Sequence, residues 1–240
     1  MSVVTGKRAV LEAIRSGRAT EVLVSGSARQ TEGLRELLAE AERRGTPVRE
    51  VLRGELDALA RNHRGVAATV GETPELSERE LADRLFGDDA IVVVLDGVTD
   101  PQNLGACARA AEAAGAEMLV TRVKRAAGVT AAAIRASAGA LMLLPHARVA
   151  NIPRALGRLK DSGFTVVGLE ASAPNSIYAE SCPPGRIAVV IGSEGSGMSR
   201  LVRESCDLLL SVPMLGQVQS LNAAATASVA LFAYVLPSRR

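Results

Sequence analysis

The sequence predicts an α/β protein, an open parallel sheet flanked by helices and preceded by a smaller α/β unit. Three observations carry this. Residues 91–95 and 187–191 are continuous apolar runs, the pattern of strands buried on both faces of a parallel sheet. From residue 90 onward, strand-like and helix-like segments alternate. The chain has 240 residues, 48% of them apolar, which suits one large domain or a medium one with a small companion.

The small unit comes first. An amphipathic helix over residues 7–16 leads to a strand over 21–25, and a longer helix over 32–44 stops at Gly45. A strand over 47–51, a short helix over 55–61 and a strand over 66–70 complete it. Residues 71–89 read as an acidic connector with a short helical stretch over 78–85. The expected division is therefore 1–70, a linker 71–89, and a second domain 90–240. In that domain strands are expected at 91–95, 165–169 and 187–191, and more weakly at 117–121 and 207–212. Helices are expected at 104–114, 131–136, 153–162 and 221–236, the last apolar nearly all round and so buried.

Net charge is +2, but its distribution is uneven. Residues 1–70 hold twelve Lys/Arg against nine Asp/Glu, residues 71–89 two against seven, and residues 90–240 fourteen against ten. Two mildly basic segments around an acidic one are compatible with nucleic-acid binding. Aromatic residues are only 2% and tryptophan is absent, so base stacking is not the main grip. Cys107, Cys182 and Cys206 lack C-x-x-C spacing and pair with no histidine at metal-ligand spacing, which points to reduced thiols in a cytoplasm and no metal. No secretory signal or membrane span is visible.

Three segments carry polar residues where chemistry is expected. In Leu95-Asp96-Gly97-Val98-Thr99-Asp100-Pro101-Gln102-Asn103-Leu104-Gly105, a buried strand enters a polar turn. There Asn103 stands at an expected helix N-cap, Gly105 permits close approach, and Arg109 follows. In Gly192-Ser193-Glu194-Gly195-Ser196-Gly197, bare backbone amides can face a ligand. The spacing is neither that of a dinucleotide loop nor that of a phosphate loop, and Glu194 would repel a pyrophosphate, which argues against a nucleotide-dependent oxidoreductase. A carboxylate there suits a sulfonium or an arginine. In the third segment, residues 211–222, Pro213 and Gly216 shape a loop before a helix that Ser220 could cap.

Together, Asn103-x-Gly105-x-x-x-Arg109, Gly192-x-Glu194-x-x-Gly197 and Pro213-Met214-x-Gly216-x-x-x-Ser220-Leu221-Asn222 resemble the SpoU/TrmH family of RNA ribose 2′-O-methyltransferases in the SPOUT superfamily. Residues 95–106 are most similar to the branch that methylates a guanosine of 23S ribosomal RNA. Gly6-x-x-Ala9-Val10-x-Glu12 and His63-Arg64-Gly65-Val66 look like that branch's small ribosomal-protein-like substrate-binding domain. Arg64 replaces a usual Gln, Gln217 a common basic residue and Ala224 a usual Ser, which leaves the RNA target open. A tRNA, a resistance-type rRNA target and a binding factor with dispensable catalysis stand as alternatives.

The resemblance implies a trefoil-knotted catalytic domain, a homodimer and S-adenosylmethionine as cofactor. The cofactor would be held by backbone at Gly192, Val212 and Leu221, with Met214 adjoining. Asn103, Arg109, Glu194, Ser220 and Asn222 are implied as active-site members. RNA capture is expected from the N-terminal unit through Arg8, Arg15, Arg61 and Arg64. A guanidinium does not deprotonate in proteins, so Arg109 is expected to stabilise a developing alkoxide or hold the neighbouring phosphate rather than act as a plain base. Glu194 is expected to orient Arg109 or Asn103.

Overall fold

The computed structural model describes residues 2–26, 28, 31–59, 63–71 and 75–239. The N-terminal part runs β1 (Ser2–Thr5), α1 (Lys7–Arg15), β2 (Ala19–Ser25), α2 (Glu32–Arg44), β3 (Val48–Val51), α3 (Arg53–Leu59) and β4 (Val66–Val70). Its four strands lie in the order β1-β4-β2-β3, with only the β2–β3 pair parallel. Helix α2 ends as the sequence predicts, with Gly45 in the left-handed region at φ 65°.

The remainder runs β5 (Glu75–Leu76), α4 (Glu78–Ala82), β6 (Ile91–Asp96), α5 (Pro101–Ala113), β7 (Met118–Arg122), α6 (Ala131–Ala136), α7 (Ala140–Leu143) and β8 (His146–Val149). It continues with α8 (Ile152–Asp161), β9 (Thr165–Leu169), β10 (Asn175–Ser176), β11 (Ile187–Gly192), α9 (Arg200–Glu204), β12 (Leu208–Ser211) and α10 (Ala223–Val229). Beyond α10 the chain winds on as a π-helical stretch, Ala230–Val235, and a 3-10 turn, Leu236–Arg239. The eight strands lie in the order β10-β12-β9-β11-β6-β7-β8-β5, every pairing parallel.

The apolar runs are buried on both faces, as a strand between two helical layers must be. In β6, Ile91, Val93 and Leu95 pack into the core that includes Leu104 and Ala108 of α5 and Ala227 of α10. Val92 and Val94 pack into the core of the opposite face with Ile152, Leu156 and Leu159 of α8. In β11, Ile187, Val189 and Ile191 share the first core, and Ala188 and Val190 the second.

Several local expectations are corrected. Asn103 is not the N-cap of α5: Asp100 caps it by accepting from the Gln102 amide at 3.0 Å. Pro101 follows at the first helical position, where its missing N–H costs nothing. Ser220 does not cap α10; Asn222 does, accepting from the Ala225 amide at 2.7 Å. Nor is that C-terminal helix buried all round, because Phe232 is 48% exposed. Gly105 does permit a close approach, as expected: a Cβ there would meet Ala136 Cβ at 2.6 Å and the Ser137 nitrogen at 2.8 Å, so it lets α5 pack on α6. In the acidic stretch, β5 pairs with β8, and Glu78 pairs with Arg154 and, at 3.6 Å, with Arg158. The Arg154 hydrogen bond holds the Glu78 carboxyl below its usual range.

The N-terminal part is packed onto the large sheet's helices. Leu11 and Ile14 of α1 share a core with Ile134 and Leu141. Gly139, at φ 97°, lies so near Glu12 that a Cβ would sit 2.6 Å from Glu12 Cβ.

His146 on β8 is fully buried and shares a 2.7 Å hydrogen bond with Thr121 Oγ1, while its Nδ1 has no partner among the described residues. Burial, then the charge of Arg148, pushes its imidazole from 6.5 down to about 4. The unfolded chain therefore takes up a proton that the folded one refuses, and stability falls as pH drops from 6.5 to about 4. At roughly 1.4 kcal/mol per unit the loss is about 3 kcal/mol. Chemical denaturation across that window should show the slope, flattened in His146→Gln; an equal slope in both proteins removes His146 as its source.

Candidate active site

The three singled-out segments converge at the C-terminal edge of the parallel sheet, where open α/β sheets place their ligands. The strand order there reverses direction: from β6 the chain moves outward to β7 and β8, then returns to β9 and β11 on the other side. Strands β6 and β11 are in register from Ile91↔Ile187 to Asp96↔Gly192, so the polar turn after β6 and the glycine loop after β11 leave the sheet side by side.

The glycine loop is a tight closed turn. Ser193 N donates to Gly197 O at 3.1 Å and Gly197 N to Ser193 O at 3.0 Å, with Ser193 and Ser196 hydroxyls 2.6 Å apart. Gly195 and Gly197 take φ of 81° and 65°, a region that costs other residues strain. Gly192 is glycine for a different reason. A Cβ there would overlap the Gly197 carbonyl carbon and the Met198 nitrogen and stand 2.6 Å from the Gly197 oxygen.

Across this junction the Asn103 amide donates to Glu194 Oε1 at 3.0 Å, joining residues 91 apart. Glu194 thus partners Asn103 and not Arg109. Arg109 is exposed on α5 and has no hydrogen-bond or ion-pair partner among the described residues. Cys107, on the same helix, is buried, and burial with the added charge of Glu194 pushes its thiol up to about 12, so it is inert packing.

A cavity of about 260 Å³ opens beneath the glycine loop. It is lined by Gly192, Val212, Met214 and Leu221, the expected cofactor residues, and by Glu194 and Ser220. Asn103, Arg109 and Asn222 do not line it. Asn222 is exposed, its side chain engaged in capping α10. The cavity suits a cation-bearing nucleoside: Leu169, Ile191, Val212 and Leu221 supply apolar contact, glycine backbone supplies donors, and the Glu194 carboxylate suits positive charge.

Four residues that the sequence reading missed hold this arrangement. Asp96, buried at the end of β6, accepts from the Ser199 amide at 2.8 Å and pairs with Arg122 at 2.9 Å, fixing the exit of the glycine loop. Glu170, just past β9, pairs with Arg203 at 2.7 Å, and both line the cavity. The available signal was an acidic residue ending each apolar run, at Leu95-Asp96 and Leu169-Glu170.

Of the expected RNA contacts, Arg8 and Arg64 are exposed, Arg64 at a left-handed φ of 53°. Arg15 is already paired with Glu12 at 3.2 Å and Glu36 at 2.8 Å. Arg61 lies outside the described residues. Among the described residues no group of three or more His, Cys, Asp or Glu could hold a metal ion, and no helix is long and apolar enough to cross a membrane.

Residues 90–232 match the profile of the SpoU rRNA Methylase family, and residues 3–75 that of the RNA 2′-O ribose methyltransferase substrate-binding domain. A 23S rRNA (guanosine-2′-O-)-methyltransferase RlmB from Photobacterium profundum is 41% identical over 207 residues, covering 85% of this chain and 84% of its own. An uncharacterized tRNA/rRNA methyltransferase from Mycolicibacterium vanbaalenii is 41% identical over 234 residues, covering 95% of this chain and 74% of its own. The structure of the SpoU methyltransferase AviRb from Streptomyces viridochromogenes superposes with a TM-score of 0.81 at 26% identity, over 99% of this chain and 90% of its own. The same enzyme in complex with its cofactor AdoMet superposes at 0.79. With its three signature segments gathered on one sheet edge and more than half its length matched, the chain belongs to the SpoU rRNA Methylase family.

Proposed function

We propose that this chain transfers the methyl group of S-adenosylmethionine to a ribose 2′-hydroxyl of RNA, at a guanosine of 23S rRNA. The observation that carries the reading is the Asn103–Glu194 hydrogen bond at the mouth of a glycine-walled cavity. Its support among relatives is the RlmB enzyme and the AdoMet-bound neighbour.

Bound S-adenosylmethionine supplies a methyl group on a sulfonium, a donor already activated for transfer. The residues must therefore hold the acceptor in line and manage its proton. Backbone around Gly192, Val212 and Leu221, with Met214, holds the cofactor. Glu194 takes an N–H of the Asn103 amide, which leaves the amide oxygen to accept from an incoming hydroxyl. Ser220 adds a hydroxyl at the cavity, and Asn222 sets the start of α10 beside it. Arg109, with no carboxylate partner among the described residues, is left to bind the phosphate beside the acceptor ribose and to stabilise the alkoxide as the hydroxyl proton passes to that phosphate.

The same reading makes residues 1–70 the RNA-capturing domain, with Arg8 and Arg64 among its contacts, joined through residues 71–89 to the catalytic domain 90–240. It includes a trefoil knot formed by the C-terminal segments, which the resemblance to the SpoU family implies. It includes a homodimer, supported by exposed Phe232, Leu215 and Val218, and a cytoplasmic location, where its RNA and three free thiols belong.

Incubation with methyl-labelled S-adenosylmethionine and separated ribosomal and transfer RNAs tests the assignment. Label should enter 23S rRNA at the 2′-oxygen of a single guanosine. Label in tRNA alone would move the substrate to tRNA, and label in neither would leave a binding factor.

A further inference from the structure

The loop between β7 and α6, residues 123–130, lies on the same sheet edge as the cavity and is not used by the reaction described above. Strand β7 is the immediate neighbour of β6, so their ends stand about 4.8 Å apart. The loop is tied down on both sides. Ala127 N donates to Val98 O of the Asn103 turn at 2.9 Å, Val123 N to Val149 O at 2.9 Å, and Arg148 Nη2 to Val123 O at 2.8 Å.

Its charge is one-sided. Arg122 is neutralised by buried Asp96, whereas Lys124 and Arg125 are exposed and have no hydrogen-bond or ion-pair partner among the described residues. Arg125 is held at a left-handed φ of 57°, a conformation that non-glycine residues adopt at a cost and that gathers at binding sites. The carboxylate of the adjoining turn, Asp100, is occupied in capping α5. Two more exposed cations without a partner among the described residues, Arg109 and Arg135, stand on α5 and α6, which pack directly on each other at Gly105. The loop carrying Lys124 and Arg125 is thus bonded directly to the turn that leads to Asn103.

We propose that Lys124 and Arg125, with Arg135 on the helix that follows, form a second RNA-binding surface that holds the phosphates flanking the acceptor nucleotide. The proposal rests on the methyltransferase reading for its acceptor. The ligand is a polyanion, because only guanidinium and ammonium groups are offered and aromatic side chains are scarce. It is RNA rather than an acidic protein because the strand carrying the acceptor ribose must leave the site across one of its two flanks. The β7 flank offers positive charge that has no partner among the described residues.

The test is the double variant Lys124→Gln/Arg125→Asn; asparagine tolerates the left-handed conformation, so the loop keeps its shape. Binding of transcribed 23S rRNA is measured at a series of salt concentrations, with S-adenosylmethionine affinity by calorimetry and methyl transfer alongside. Loss of two phosphate contacts should reduce the salt slope by about 1.4, at about 0.7 per contact, and weaken RNA binding roughly tenfold. Cofactor affinity should not change. An unchanged slope with unchanged RNA affinity overturns the surface, whatever the wild-type chain methylates. Wild-type RNA binding that loses its slope in the variant, with no methyl transfer in either protein, upholds the surface and overturns the reaction instead.

Discussion

Replacing Arg109 by lysine lowers methyl transfer by about 100-fold or more and leaves the affinity for S-adenosylmethionine unchanged. Arg109 does not line the cavity, so the cofactor does not depend on it. Its exposed guanidinium, without a partner among the described residues, offers a planar fork of donors that fits a phosphate or an oxyanion bidentately. Lysine keeps the charge but not the fork. If the interaction forms chiefly in the transition state, the loss falls on kcat rather than on KM, and 100-fold corresponds to about 2.7 kcal/mol. Single-turnover transfer to 23S rRNA, with calorimetry of cofactor binding, separates the two effects. Near-normal turnover in Arg109→Lys would falsify the role given to this residue.

Gly192→Ala should abolish the cofactor site from within. The added methyl group would overlap the backbone of Gly197 and Met198, and backbone cannot swing aside as a side chain can. The Ser193–Gly197 pairing must open, moving the loop that walls the cavity and carries Glu194. Cofactor affinity should fall by about 100-fold, together with about 1–3 kcal/mol of stability from overpacking. Gly216→Ala is the control, since a Cβ there meets nothing within 4 Å and its φ is not left-handed. Cofactor titration of both variants, with a thermal melt of each, checks this. Tight binding by Gly192→Ala means that the loop can relax without losing its cradle.

The parallel sheet was legible because its evidence is local. The residues of β6 and β11 declare themselves apolar on both faces within six positions. The two-residue strands β5 and β10 were not legible, since two residues carry no period. The start of α5 was misplaced by three residues because Asn103 and Asp100 are both good caps, and only Pro101 favours the earlier one. Gly105 was legible as a point of close approach, but not the group that approaches: the neighbour it admits is α6, far enough along the chain to leave no local mark.

By itself, then, the sequence determined the α/β class, the three chemical segments and the residues Gly192, Val212, Met214 and Leu221 that line one cavity. It did so because side-chain period and short motifs are written in contiguous residues. Tertiary structure alone decided that Glu194 takes Asn103, that Glu170 meets Arg203, and that Asp96 anchors the glycine loop. Each of these is a contact of about 3 Å between residues tens of positions apart. Such distances follow from the order in which strands pack side by side, a property of the whole core that no single segment contains.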